Sequence, residues 1–520
     1  MSGDGGERFV AALDVGTTKI KCLIFDKRTV IRGQETASIR LEYPKSGWVE
    51  INPEVLWEQV IYVMKGAVQD AGISPSDIVC MSISTQRSSF LCWDENNNEP
   101  ITNIITWKDR RASKLVKQWD NSLYVRTFRL VCKLLYSVTK NRRYLSGSVL
   151  RLMNELVSMR LLWVLDNIPG IREKIAMNQI KFGTLDTFLI YKLTEGEHHV
   201  TDFSNACVTG FFDPFEMGYA DWALKMFSIP SSILPKLVPT CGKHFGSCKI
   251  FKGVDIPIRC CIADQSASMF GSGSFRNGSV KVTLGTGAFL DVNTGDKPHA
   301  SVGGIYPLVG WKYGYELSYI AEGAAHNNAN VIEWGKTIGL FNNVQECSDI
   351  AHSVPDTGGV YFIPAFQGLQ APYNDVTAAS GFLGVTQTTK KAHLVRALLE
   401  SLAFRVQQLL NVLQSETDIE FDHIKIDGGV SNNDFICQTI ANLTGKRVVR
   451  PVCKEMTALG SAFMAGVNAG FWDNKECLEN LYKVDKVFHP KAELEHPLLK
   501  TFAEWERALE RFLKWNTTDS

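Results

Sequence analysis

Phe9-Val10-Ala11-Ala12-Leu13-Asp14-Val15-Gly16-Thr17-Thr18 is an apolar run that ends in an aspartate and a glycine-threonine turn. It predicts a strand over Phe9–Leu13, a tight turn, and a return strand over Ile20–Phe25. Glycine lets the backbone approach an anion closely, and threonine adds a hydroxyl and an amide at the same point. A second turn of this kind, Leu284-Gly285-Thr286-Gly287, follows another strand-like run and leads into Phe289–Val292. Two such turns in one chain can grip a polyphosphate from both sides. They imply two lobes with a phosphoryl-transfer site between them.

Strand-like and helix-like stretches alternate along the rest of the chain, which predicts an α/β architecture. Pro53 to Ala71 reads as a helix with Leu56, Val60, Val63 and Ala67 on one face. Val79–Ser84 and Ile258–Ala263 are short apolar runs ending in polar residues suited to a cleft. The small, glycine-rich segment Gly271-Ser-Gly-Ser-Phe-Arg-Asn-Gly278 is the best linker and hinge candidate. It divides the chain into a first lobe, 1–272, a second lobe, 281–475, and a helical tail, 476–520. Farther on, Phe421–Ile426 runs into Asp427-Gly428-Gly429, with a helix expected from about Asn433. Strand, double glycine and helix N-terminus together expose amides that suit a nucleotide. In the tail, Leu498, Phe502, Trp505, Leu509 and Phe512 recur at helical spacing, as in a docked helix.

Composition removes several classes of function. The 520 residues hold 55 Lys and Arg against 55 Asp and Glu, and this zero balance argues against nucleic acid as the main partner. The 13 cysteines are scattered without a Cys-x-x-Cys pair, so neither zinc nor a disulfide framework is expected; a reducing, cytoplasmic setting is the simplest reading. Met1 to Arg8 is polar, and no uncharged run of membrane-spanning length follows. One stretch stands apart. Between Asp120 and Glu155 no acidic residue occurs, while Arg126, Arg129, Lys133, Lys140, Arg142, Arg143 and Arg151 interleave with apolar residues. A solvated basic helix face is the favoured reading; a membrane surface or an acidic partner is the other. Homo-oligomerisation stays open.

The chain has no Gly-x-x-x-x-Gly-Lys-Ser/Thr loop, no His-Glu-x-x-His and no Gly-x-Ser-x-Gly. What remains is carboxylates at strand ends, Asp14 and Asp264. Phosphoryl transfer to an alcohol needs a base for the hydroxyl proton, a divalent metal on the phosphates, and donors for the equatorial oxygens. Asp14 and Asp264 can supply the base and the metal support; a lone Asp at a strand end is more often a turn or helix cap, and only the combination with the glycine turns reverses that reading.

The ordered set resembles the FGGY family of carbohydrate kinases, and within it glycerol kinases. Besides the three glycine turns, the resemblance rests on Gly47-Trp48-Val49-Glu50, Thr85-Gln86-Arg87, Trp107-Lys108-Asp109-Arg110-Arg111 and Phe182-Gly183-Thr184-Leu185-Asp186-Thr187. It also rests on Ala263-Asp264-Gln265, Ala371-Pro372-Tyr373, the segments Ser380–Gly384 and His393–Glu400, and Thr457-Ala458-Leu459-Gly460. It runs from about Phe9 to Trp472. The resemblance implies a two-lobed ribonuclease-H-like ATPase fold of the actin and hexokinase type, with ATP and Mg2+ as cofactors. It also implies a small polyol, glycerol first, as acceptor. By the same resemblance Asp264 is the general base, with Asp14 on the metal, and Thr17, Thr18, Lys19 and Lys21 line the phosphates from one side. Gly285, Thr286 and Gly287 line them from the other, and Gly429 and Asn433 contact the adenosine. Arg87, Trp107, Gln265 and Phe289 form the polyol pocket with Asp264.

The chain departs from the family on the acceptor side. Ser88 stands where glycerol kinases carry a glutamate, and a family tyrosine between Trp107 and Trp163 has no match. Near the nucleotide, Ala329 replaces a glycine, Glu333 a glutamine, Leu284 a tyrosine, and Ala378-Ala379-Ser380 lacks the family arginine. The phosphate turns are intact while the acceptor wall is altered. The expectation is an ATP-dependent kinase for glycerol or another polyol or ketose; a nucleotide-binding regulator with little turnover is the alternative.

Overall fold

The computed structural model describes residues 7–516. Two large mixed sheets carry the fold, and both follow one plan. In the first, β1 (Phe9–Val15), β2 (Lys19–Phe25) and β3 (Ile31–Ser38) form an antiparallel meander. β4 (Ile78–Thr85) pairs parallel with β1, β5 (Ser247–Phe251) forms the antiparallel edge, and β6 (Val254–Ala263) pairs parallel with β4, in the order β5-β6-β4-β1-β2-β3. The second sheet repeats this with β7 (Val280–Leu284), β8 (Ala288–Gly295) and β10 (Glu316–Ala325) as its meander. β9 (Tyr306–Tyr313) is added beyond β10. β11 (His423–Asp427) and β12 (Arg447–Pro451) pair in parallel, and β13 (Val484–Phe488) closes antiparallel, in the order β9-β10-β8-β7-β11-β12-β13. The two-lobed α/β fold expected from the sequence is therefore present. Each phosphate-type turn joins the first two strands of its sheet.

Local chemistry explains the main helices. α1 (Pro53–Ala71) begins with Asn52, whose side chain accepts from the Glu54 and Val55 amides, and ends at Gly72 in the left-handed region. Its buried face of Leu56, Val60, Val63, Met64 and Ala67 packs on the first sheet. α2 (Leu123–Thr139) and α3 (Arg142–Ser148) hold the basic stretch at the edge of the first lobe. α4 (Asp264–Gly271) continues directly from β6. α5 (Lys391–Glu416) and α6 (Asp434–Thr444) build the second core with β7, β8 and β11.

α7 (Met456–Asn468) leaves the second sheet and covers the first, burying Met456, Leu459, Ala462 and Phe463 on Val10, Ala12, Phe25, Cys80 and Ile262. It crosses α4 with the backbones in contact. A Cβ at Gly460 would stand 1.8 Å from the Ala267 carbonyl oxygen, and one at Gly271 would stand 2.2 Å from that of Met456. Only glycine permits this crossing, which joins the lobes. α8 (Ala492–Leu509) docks on the second lobe through Phe502, Trp505 and Leu509, and the Trp505 indole donates to the Phe362 carbonyl at 2.7 Å. The 13 cysteines are all free. Among the described residues no helix is long and apolar enough to cross a membrane.

Candidate active site

On the face of the first sheet covered by α7, Val10 and Ala12 are buried beneath the helix, and the next residue on that face is Asp14. Register sets Asp14 between Lys21 of β2 and Ser84 of β4. The Ser84 hydroxyl donates to the Asp14 carboxylate at 2.9 Å. Lys21 forms an ion pair of 2.6 Å with Glu455, at the start of α7. Burial pushes the Asp14 carboxyl up to about 7, and the charges of Asp264 and Glu455 add to this against Ser84 and Lys21. In the turn beyond, the Gly16 amide donates to the Lys19 carbonyl at 3.0 Å, leaving Thr18 and Lys19 exposed at the cleft and Thr17 half-buried.

Asp264 opens α4, and its carboxylate accepts from the Gln265 amide at 2.8 Å. The Arg87 guanidinium approaches it to 3.8 Å and donates to both oxygens of Glu322 at 2.6 and 2.8 Å. Arg87 comes from the loop after β4 and Glu322 from β10, so this buried pair spans the two lobes. Burial raises the Asp264 carboxyl, and Arg87 partly offsets it. Burial alone would lower the Arg87 guanidinium, but Glu322 and Asp264 more than restore it. In the second sheet, Lys281, Asp291 and Glu322 form one cross-strand row, and Thr283, Phe289 and Ala324 form the next on the same face. Phe289 therefore faces the cleft beside Glu322. Lys281 is fully buried between Asp291 at 3.5 Å and Asp427 at 3.6 Å. The Thr283 hydroxyl donates to the Gln265 side-chain carbonyl at 3.3 Å.

The loops that carry Ser88 and Trp107 form a wall of the cleft that is held from behind. The Trp107 indole donates to the Thr17 hydroxyl at 3.0 Å, joining the wall to the first glycine-threonine turn. Ser88 sits at φ 60°, a backbone state that costs a non-glycine residue free energy. Fully buried Arg160 donates to the Ser88 carbonyl at 2.7 Å, the Glu155 carbonyl at 2.8 Å and the Thr106 carbonyl, tying both wall loops together. Burial pulls its guanidinium down to about 10, against the pull of Asp109 and Glu155. From the second lobe, the His326 ring meets Trp107 edge-on at 6.2 Å between centroids. Burial lowers the imidazole, so it stands neutral at the wall.

In the second glycine-threonine turn, the Gly285 amide donates to the Gly287 carbonyl at 2.9 Å, and the Asn328 side chain donates to the Gly285 carbonyl at 3.0 Å. Thr286 is exposed at the tip. Gly428 has φ 87°, and a Cβ there would meet the Leu284 carbonyl oxygen at 2.4 Å, so glycine alone lets the third turn lie against the second. Gly429 faces open space. The Asn433 side chain caps α6, accepting from the Ile436 amide at 3.2 Å, and donates to the Cys347 sulfur.

Asp14, Thr17, Arg87, Ser88, Trp107, Asp264, Gln265 and Phe289 are thus brought to one cleft. Lys21 spends its charge on Glu455, and Asn433 spends its side chain on the fold. Sequence reading missed Glu322, Arg160 and His326. Glu322 is the one acid in the apolar run Tyr319–Ala325, and Arg160 the one charge in Val157–Leu165. A lone charge inside an apolar run was the available signal.

The N-terminal domain profile of the FGGY family of carbohydrate kinases matches residues 9–271, and the C-terminal domain profile matches 280–469. The chain belongs to the FGGY family of carbohydrate kinases and is a kinase that phosphorylates a small carbohydrate or polyol. It is 46% identical over 516 residues to glycerol kinase 5 of Danio rerio, covering 98% of this chain and 97% of that one. Glycerol kinase 2 of Thermotoga maritima is 35% identical over 509 residues, covering 98% and 99%. Among solved structures, glycerol kinase of Plasmodium falciparum with ADP superposes with a TM-score of 0.85 at 28% identity, covering 98% of each chain.

Proposed function

We propose that this chain transfers the γ-phosphoryl group of ATP to one hydroxyl of a small polyol, with glycerol as the first candidate. The observation that carries the reading is Asp264, half-buried at the start of α4, 3.8 Å from Arg87 of the Arg87–Glu322 pair that spans the lobes. Asp264 takes the proton of the acceptor hydroxyl as its oxygen bonds to the γ-phosphorus. The bond from phosphorus to the β-phosphate oxygen breaks, and ADP leaves. Thr17 and Thr18 on one side and Gly285 to Gly287 on the other face the phosphates, with Lys19 adding positive charge. Asp14, raised by burial and by the nearby charge of Asp264, makes with it a hard, anionic donor set, which fits Mg2+. Asp14 would hold this ion; when bound, it neutralises phosphate charge. Trp107 and Phe289 offer apolar faces to the acceptor's carbon chain, while Arg87 and Gln265 offer polar groups to its hydroxyls.

The acceptor depends on the altered wall. Glutamate accepts from two hydroxyls, whereas Ser88 is short and neutral, and His326 adds a neutral ring nitrogen from the other lobe. This set favours a polyol whose hydroxyl pattern differs from glycerol's, as the second reading. The test is ADP release by the purified protein across glycerol, longer polyols and ketoses, with Asp264→Asn as control. At least one acceptor should stimulate release, and Asp264→Asn should lower kcat by about 10²–10⁴-fold without lowering the melting temperature. Equal turnover by the variant would remove Asp264 as the base.

A further inference from the structure

We propose that α2 is an interfacial helix that docks the protein on an anionic lipid surface. Leu123, Leu130, Val131, Leu134 and Val138 recur at the spacing of one helix face, and all are exposed, Leu123 at 81% and Val138 at 83%. The helix already has a separate face for its own core: Val125 and Cys132 are buried, and Phe128 stacks on Trp222. The apolar stripe is therefore a second, unpartnered face. Over 17 residues it extends about 25 Å.

Charge identifies the occupant. Arg126 and Lys133 lie seven residues apart along one flank of the stripe, and Lys140 and Arg142 follow just beyond the end of the helix. None of the four makes an ion pair among the described residues, whereas Arg129 and Arg143 are held by Asp120 and Asp213. No acidic residue from 121 to 154 offsets them. An aliphatic stripe with a cationic flank matches the acyl chains and headgroups of an anionic bilayer. A second copy in antiparallel two-fold pairing fits poorly, because that arrangement brings both cationic flanks together. The stripe is mainly aliphatic, with Tyr124 exposed at its edge, and has none of the buried Trp, Tyr and Arg anchors typical of a protein interface.

The test is flotation of the full chain with vesicles of phosphatidylcholine alone and with phosphatidylserine added. Binding should be at least tenfold greater on the anionic vesicles and should fall as salt rises. Leu130→Glu with Leu134→Glu should abolish it, and Arg126→Ala and Lys133→Ala should each weaken it about fivefold. All four positions are solvent-exposed or flank exposed ones, so melting and ATP turnover serve as controls. Failure to float at any phosphatidylserine content, or equal flotation of the Leu130→Glu, Leu134→Glu variant, overturns the proposal. So does a dimer in solution that this variant dissociates, which would assign the face to a second copy.

Discussion

Asp14 shows what the site costs the fold. Its carboxyl is held at about 7 against an ordinary 3.8, first because it is buried. Between those values the folded chain keeps a proton that the unfolded chain has lost. Stability from this residue therefore falls as pH rises from about 4 to about 7, and the full penalty stands above that range. Asp14→Asn should raise stability at pH 8 by on the order of 2–4 kcal/mol, with the gain vanishing near pH 4. It should also remove turnover. Thermal melts of both proteins at the two pH values check this; a gain that is equal at pH 4 and pH 8 would contradict it. Arg160 acts at one remove, holding the Ser88, Thr106 and Glu155 carbonyls behind the acceptor wall. Arg160→Met should raise the KM for the acceptor about tenfold or more while leaving the KM for ATP near its original value. Equal changes in both would point to a general loss of structure instead.

Among the elements, the crossing of α4 and α7 is the most constrained. Gly460→Ala would place a methyl group 1.8 Å from a backbone oxygen, with no flexible side chain to yield. The helices must separate, and we expect a loss of at least about 1–3 kcal/mol with lower turnover. Chemical denaturation measures the first, and an unchanged midpoint would show that the crossing can relax. Other elements were legible in the sequence. The bounds of α1 follow from Asn52, Pro53 and Gly72, and β1 and β2 from period and turn chemistry. The crossing was not legible, because nothing near Thr457-Ala458-Leu459-Gly460 says that this helix returns to a sheet begun at Phe9. Likewise Asp264 and Arg87 could be read from motifs, while their partner Glu322 lies 235 positions from Arg87 and meets it only through the fold.

For the whole molecule, the duplicated sheet plan puts one glycine-threonine turn in each lobe, and the covalent link between them runs through Gly271–Gly278. The Arg87–Glu322 and Lys21–Glu455 pairs tie the lobes together beside the candidate base. Such a cleft works by holding acceptor and donor away from water, which would otherwise take the phosphoryl group. Kinase chemistry and nucleotide hydrolysis both release ADP, so the fate of phosphorus separates them. Phosphorus NMR of the wild-type protein turning over ATP and Mg2+ with the acceptor selected by the ADP-release survey is the most direct test. One phosphomonoester of the acceptor should form for each ADP, with little inorganic phosphate. Inorganic phosphate as the main product, or ATP left intact with every polyol and ketose supplied, would contradict it.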